Sequence, residues 1–445
     1  MTFVDRIEEM ARLRRFLSDS EGGFACVYGR RRVGKSRLLA EAVRGREDVV
    51  TFLADKSDAA LQRSRLANDI AKTIPGFGSV VYPDWGSLFD TWQLRAAAGS
   101  VLIIDELPYI VERSPEVPSI LQRIVDGIAP TGKKLILCGS SQRMMQGLVL
   151  NANEPLYGRA KVLLCLKPIG FDWLKTVFPG ASAFELLERY GIWGGIPRYW
   201  EIDEAEGDHW KAVREQVFSE FGLLRNEPTY LLQDDLRDSV QSFSLLTLIG
   251  QGAGRITELA SRLGVPASDL SRPMARLVDL ELVRKERPFG EPESSKRTIY
   301  RLSDPFLVFW YRYVQPNWSD PAYLTRVGEL ERLKSDFRIV LGEVWEGLVR
   351  TRLQAKWRKV GRWWGTGLDR RPMELDVVAE SPDGETLLVG ECKLNLNPEE
   401  CRREKTLLEE KVASFPLSRN YKRIETELFV FSNDNIRGLS PLASE

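Results

Sequence analysis

The stretch FACVYGRRRVGKSRLLAEAV, from Phe24 to Val43, leaves the chain around it few ways to fold. An apolar strand enters a glycine-bracketed loop, and helical periodicity follows. The loop reads GxxxxGKS, Gly29 to Ser36. Gly29 and Gly34 let backbone amides approach phosphate oxygens. Lys35 would reach the β- and γ-phosphates, and Ser36 would ligate Mg²⁺. The strand before and the helix after are the context this pattern requires, so ATP and Mg²⁺ are the expected cofactors.

A second element agrees. SVLIIDELPYI is a buried strand ending in Asp105 and Glu106. Asp105 would hold Mg²⁺ through water, and Glu106 would orient or deprotonate the attacking water. DVVTFLAD reads as a strand between these two elements in the chain, which suits ATP hydrolysis rather than kinase chemistry. KKLILCGSSQRMM adds a further strand, after which Ser140 either senses the γ-phosphate or caps a helix. Arg159 is a candidate arginine finger or sensor, or else a surface arginine. Arg30, Arg31 and Arg32 either meet an anionic partner or face solvent. FVDRIEEM predicts a capped helix, with Asp5 as N-cap and Glu8 three residues on.

Further along, ITELASRLGVPASDLSRPMARLVDLELV has helix-turn-helix spacing, with Gly264 at the turn. VRKERPFGEPESSKRTIYRLSD then reads as strand, wing tip and strand. Ser271, Arg272 and Arg276 are placed to face DNA, and Arg287, Lys296 and Arg297 to touch phosphates; packing on the nucleotide domain is the other role open to this module. YRLSDPFLVFWYRYV is too aromatic for a solvated tail and is expected to be buried. MELDVVAESPDGETLLVGECKL, Met373 to Leu394, predicts a hairpin that sets Asp376 beside Glu374 and Lys393 beside Glu391, with Asp376 and Glu391 converging across it. Upstream, Glu346 borders the apolar stripe of a helix, and KVGRWWG predicts a strand. PEECRREKTLLEEKVASF reads as a mixed-charge helix, in which Arg402, Arg403 and Lys405 either touch DNA or belong to a solvated face with i,i+4 pairs.

At 445 residues several domains are expected. Sixty-three Lys and Arg balance sixty-three Asp and Glu, so no global field marks a nucleic-acid binder and any such contact must be local. Five scattered cysteines, one histidine and no CxxC argue against a zinc site and fit reduced thiols. With no signal-peptide pattern and no apolar run of membrane length, a cytoplasmic location without membrane contact is expected. Breaks are expected near Asp203 to Gly207 and near Gln315 to Pro321.

Taken together, FVDRIEEM, VYGRRRVGKSRLL, LIIDELPYI, GSS, PLYGR and YGIWGGIPRYW resemble the archaeal-type P-loop ATPase family, a branch of the STAND/AAA-like NTPases, from Met1 to about Trp200. The resemblance implies a nucleotide-binding core and a helical lid, and names no target. The order of helix with Glu346, strand, strand with Asp376, turn, and strand with Glu391 and Lys393 resembles the PD-(D/E)XK nuclease fold. It also looks like the uncharacterised C-terminal domain often joined to this ATPase family. The nuclease resemblance implies Asp376 and Glu391 as metal-binding acids, Lys393 as the motif lysine and Glu346 as the helix acid. The first motif, MELD, lacks the usual proline but keeps the aspartate.

The expected fold class is an α/β P-loop ATPase with helical lid, a winged helix-turn-helix, and a C-terminal α/β PD-(D/E)XK restriction-endonuclease-like domain. The expected division is 1–165 for the ATPase core, 166–238 for the lid, 239–315 for the winged helix, 316–335 for a linker and 336–434 for the nuclease-like domain. The leading functional expectation is an ATP-hydrolysing switch coupled to a Mg²⁺-dependent DNA endonuclease, with Mn²⁺ the other ion its acids would accept. The alternative is a STAND-type signalling ATPase whose C-terminal domain binds nucleic acid or protein without catalysis. A third reading, a DNA translocase or loader, requires an oligomeric ring with Arg159 acting across subunits.

Overall fold

The computed structural model describes residues 1–235 and 239–432. Strands β1 (Gly23–Gly29), β2 (Val49–Leu53), β3 (Val101–Asp105), β4 (Lys134–Gly139) and β5 (Ala160–Leu166) form one parallel sheet in the order β2-β3-β4-β1-β5. β1, β3 and β4 are buried at every position, as strands covered on both faces must be. Phe24, Cys26 and Ile104 enter one apolar cluster, while Ala25, Val27 and Ile103 enter the other across the sheet. Because the strands are parallel, their C-terminal ends share one edge. There the loop after Gly29, the pair Asp105 and Glu106, and Ser140 come together. The strand standing between β1 and β3 in the sheet is β4, whereas β2, between them in the chain, lies at the edge.

The first helix runs Ile7–Ser18, but the expected cap at Asp5 does not form. Asp5 and Arg6 both take left-handed backbone (φ 60° and 67°), Arg6 occupies the N-cap position, and no side chain caps the helix. The expected break near Asp203 is also absent. Asp203 lies inside the helix Pro197–Glu206, fully buried and ion-paired to Arg189, and the helix ends at Gly207.

The middle region carries helices Ser239–Gly250, Ile256–Leu263 and Ser271–Asp279, then the antiparallel pair β6 (Val283–Glu286) and β7 (Ile299–Leu302). Gly264 (φ +66°) makes the turn, and Leu259, Leu270, Met274 and Leu277 are buried. The boundary expected at 238 lies against residues 236–238, outside the described ones.

A helix of 25 residues, Glu329–Leu353, opens the C-terminal region and starts inside the stretch expected to be a linker, because Leu333 already packs into the core. It is followed by β8 (Lys359–Thr366), β9 (Pro372–Glu380), β10 (Thr386–Leu394), the helix Pro398–Ser414 and β11 (Arg423–Phe431). These strands form a second sheet, β11-β10-β9-β8, antiparallel except for the β10–β11 pair.

One apolar cluster joins the helices between Phe171 and Leu232, the middle region and this sheet. The expected burial of the aromatic stretch holds. Phe306 stacks with Trp193, Phe309 meets Phe337 edge-on, and Trp345 meets Phe431. Beyond β6, Phe289 inserts beside Trp363, Leu375 and Phe415, and its N–H donates to the Arg362 carbonyl at 2.8 Å.

Candidate functional site

The loop leaves β1 at Gly29, where a Cβ would lie 2.5 Å from the Leu166 carbonyl oxygen and φ is +150°. Only glycine fits there. Lys35 is 5% exposed and folds back over the loop, its Nζ donating to the carbonyls of Gly29 (2.9 Å) and Arg30 (3.2 Å). Ser36 Oγ donates to Asp105 Oδ2 at 2.6 Å. These are hard oxygen donors brought to one point, and Mg²⁺ in nucleotide sites keeps several waters beside one or two protein oxygens. Ser36 and Asp105 therefore fit the ion. Glu106, in left-handed backbone (φ 56°), is held by Ser140, whose N–H and Oγ both donate to its Oε2 (3.0 and 2.8 Å). The helix cap falls to Ser141, which accepts from the Met144 N–H. Ser140 itself therefore does not cap the helix.

The arginines of the loop reach outside the nucleotide domain. Arg30 Nη1 pairs with Asp304, which is 6% exposed and also caps the helix Pro305–Phe309. Arg32 pairs at 2.7 Å with the fully buried Glu227, whose other oxygen accepts from the Tyr199 hydroxyl at 2.8 Å. Arg30 has a second side. Its Nε and Nη2 are buried without hydrogen-bond partners among the described residues, and Arg30 lines a small cavity with Arg31, Ser140, Gln142 and three leucines, Leu231, Leu280 and Leu282. Arg6 braces the same loop, donating to the carbonyls of Val33 (3.1 Å) and Lys167 (2.6 Å).

Arg159 is placed elsewhere. It precedes Ala160, which pairs with Phe24, and the strand from there to Gly29 spans roughly 16 Å. Its guanidinium bonds Asp126 at 2.8 and 3.3 Å. The fold does not bring it to the phosphate loop of its own chain.

At the C-terminal hairpin, alternation along β9 breaks around Asp376. Leu375 and Val378 enter one apolar cluster while Val377 enters another, and the β8 register shifts opposite them. Asp376 therefore does not simply repeat the exposed face of Glu374. Its Oδ2 accepts from the Cys392 N–H at 2.9 Å, which ties β9 to β10. Glu391, 4% exposed, receives Lys411 Nζ at 2.6 Å and Lys393 Nζ at 3.3 Å. Arg350 Nη1 donates to Glu346 (3.2 Å) and to the Asp376 carbonyl (2.7 Å). Burial and the charge of Asp376 push the carboxyls of Glu391 and Glu346 above their ordinary values, against the pull of Lys411 on the first and Arg350 on the second. Burial of Lys393 works to lower its value, but Glu391 outweighs it and the ammonium is held above the usual lysine value. Among the described residues no group of three or more His, Cys, Asp or Glu side chains is arranged around a metal position. Asp376 and Glu391 alone supply the carboxylate number and oxygen chemistry that Mg²⁺ takes beside its waters.

Residues 3–201 match a family described as an ATPase domain predominantly from Archaea, and residues 310–404 match archaeal and bacterial proteins of unknown function. An uncharacterised protein of Methanocaldococcus jannaschii is 32% identical over 401 residues, covering 88% of this chain and 87% of that one. The chain belongs to the archaeal-type ATPase family. Among solved structures, the Walker-type ATPase of Pyrococcus abyssi shares the fold, with a TM-score of 0.54 and 19% identity over 70% of this chain and 96% of that one. The Aeropyrum pernix ORC2 protein, solved with ADPNP and ADP, is a looser likeness at TM-score 0.41 and 15% identity, over 71% and 94% of the two chains. Among the described residues no helix is long and apolar enough to cross a membrane.

For this archaeal-type ATPase, the structure gathers Gly29, Gly34, Lys35, Ser36, Asp105, Glu106 and Ser140 at one edge of the sheet. It gathers Glu346, Asp376, Glu391 and Lys393 at the hairpin, and leaves Arg159 apart from both. Sequence reasoning missed Arg6, Asp304 and Glu227 around the loop, and Arg350 and Lys411 at the hairpin. Asp304 carried one signal: SDPF reads as a helix cap. Lys411 carried none, since it sits in a helix whose charges all looked solvated.

Proposed function

We propose that this ATPase is an ATP-hydrolysing switch coupled to a Mg²⁺-dependent DNA endonuclease of PD-(D/E)XK type. The observation that carries the coupling is the two-sided Arg30. One nitrogen pairs with Asp304 of the middle region, while two others stand buried and, among the described residues, unpartnered beside Ser140. A buried guanidinium with open donors favours an anion, and the γ-phosphate is the anion this edge of the sheet serves. When it binds, Arg30 turns to it, Asp304 loses its partner and the middle region is released or reset. In hydrolysis Lys35 neutralises the phosphates. Glu106, steadied by Ser140, takes the proton of the attacking water.

The output reading is supported by the order of helix, three strands, helix and strand, with Glu346, Asp376, Glu391 and Lys393 at its four motif positions. Asp376 and Glu391 would hold Mg²⁺ or Mn²⁺, which supplies an activated water and charge neutralisation at the scissile phosphate. Lys393 orients the water against Glu391. The middle region, a winged helix in this reading, passes the signal from Arg30. A second reading is favoured by Lys411, whose ammonium already occupies Glu391. There the C-terminal domain binds a partner without cleaving it.

The test is cleavage of linear and supercoiled DNA in Mg²⁺ or Mn²⁺, with and without ATP. Wild type is compared with Asp376→Asn and with Asp304→Asn, which keeps the helix-capping oxygen but removes the charge. Asp376→Asn abolishes cleavage, and Asp304→Asn tightens ATP binding roughly threefold to tenfold, about 1 kcal/mol, and uncouples cleavage from ATP. Absence of cleavage under every condition transfers the assignment to the second reading.

A further inference from the structure

Resting on the nuclease reading above, we infer that the cleft between the β6–β7 sheet, the helix Glu329–Leu353 and β8 is the path of a single polynucleotide strand leading to Glu346 and Asp376. The cleft is about 1000 Å³, and nine Lys and Arg line it against three Glu. The chain as a whole is balanced at 63 against 63. The lining is thus locally cationic, although Arg287, Arg350 and Arg358 pair with Glu293, Glu346 and Glu380 just outside it.

The cations come from every wall. Arg284, Lys285 and Arg287 stand on the β6 side, Arg350 on the helix, and Arg358, Lys359 and Arg362 on β8. Glu286 organises three of them. Arg284 (2.8 Å), Arg301 (3.2 Å) and Arg362 (3.7 Å) surround its single carboxylate. Burial works to raise Glu286, but these guanidiniums outweigh it and hold the carboxyl below its ordinary value. One carboxylate thus fixes three guanidiniums in place; Arg301 also pairs with Glu343 (3.2 Å) and Arg362 with Glu374 (3.4 Å), so the trio is a rigid, pre-arranged set of donors rather than a free positive charge.

Two further cations, Lys285 and Lys359, are exposed and make no ion pair among the described residues. Trp357, half-buried on the same wall, offers a flat face on which a base can stack. The cleft also ends in the right place. Arg350, on its wall, donates to the Asp376 carbonyl and to Glu346. A strand laid on these cations is delivered to the hairpin acids.

The experiment is fluorescence anisotropy of labelled single-stranded and duplex DNA against the full chain at several salt concentrations. The variants are Lys285→Ala with Lys359→Ala, Arg272→Ala with Arg276→Ala on the helix after the Gly264 turn, and Asp376→Asn. Losing two phosphate contacts lowers the single-strand salt slope by about 1.4 and affinity about tenfold at low salt. The expected result is that loss in the lysine pair alone, with an unchanged melting temperature and tighter binding of single strands than of duplex.

Binding by Asp376→Asn at wild-type strength, without cleavage of any DNA by wild type, keeps the cleft while removing the nuclease reading. The inference is overturned if wild type binds no nucleic acid. It is also overturned if the Arg272 and Arg276 pair carries the loss instead, if duplex is preferred, or if poly-glutamate of matched charge competes as well as DNA.

Discussion

The two acidic sites of this chain give their carboxylates opposite kinds of partner. At the phosphate loop the partners are hydroxyls, Ser36 on Asp105 and Ser140 on Glu106, while Lys35 turns to backbone carbonyls. At the hairpin the partners are ammonium groups, Lys411 and Lys393 on Glu391, with a guanidinium beside Glu346. A hydroxyl leaves a carboxylate its full charge, so in the proposed reading the first site is completed by a nucleotide that brings a cation and phosphates of its own. The second has its counterions built in, and a metal must displace a lysine to enter.

The largest expected effect is at the first site. Glu106→Gln keeps the hydrogen bonds to Ser140 in shape but removes the base, so ATP turnover falls about 10²- to 10³-fold while nucleotide binding persists. Turnover within a factor of two of wild type would break the comparison, because the neutral partners would then have no catalytic purpose.

A third carboxylate shows internal neutralisation with no room for a ligand. Asp203, paired with Arg189 and fully buried, is pushed up from 3.8 to about 6, chiefly by burial. Its folded value lies above the unfolded one, so the native state keeps a proton that the unfolded chain has lost. Stability therefore declines as pH rises through that window, by at most about 3 kcal/mol, and is flat above it. Urea midpoints across the window should show this slope in wild type and lose it in Asp203→Asn. Equal slopes would remove Asp203 from the comparison.

The smallest effect sharpens the contrast most. Lys411→Ala frees one oxygen of Glu391. Mn²⁺ affinity, read from the metal-induced rise in melting temperature, should increase roughly fivefold, about 1 kcal/mol. A fall instead would mean that Lys411 belongs to the working site rather than competing for it.

What was legible in the chain was what repeats locally. The phosphate loop, the Asp105–Glu106 strand end, the Gly264 turn and the hairpin each declare themselves within twenty residues, through glycine conformation, strand periodicity and turn chemistry. The pairings of Arg30 with Asp304 and Arg32 with Glu227 join residues hundreds of positions apart, and nothing in local spacing announces them. Asp376 failed differently. Strict alternation put it beside Glu374, but an irregular register reassigns its neighbours, and a one-residue slip of this kind leaves no compositional trace. The cap expected at Asp5 lost to a tertiary demand, since Arg6 is needed at the loop.

The apolar cluster that holds the helices between Phe171 and Leu232 also takes in Phe431, and Trp345 donates its Nε1–H to the Phe429 carbonyl at 2.9 Å. Synthesis runs in one direction, and the parallel sheet with its phosphate loop is complete once Leu166 has left the ribosome. Asp304 and Glu227, and the strands that seal the cluster, arrive later. During its own birth each molecule therefore passes through a stage in which the phosphate loop exists and the carboxylate partners of its arginines do not.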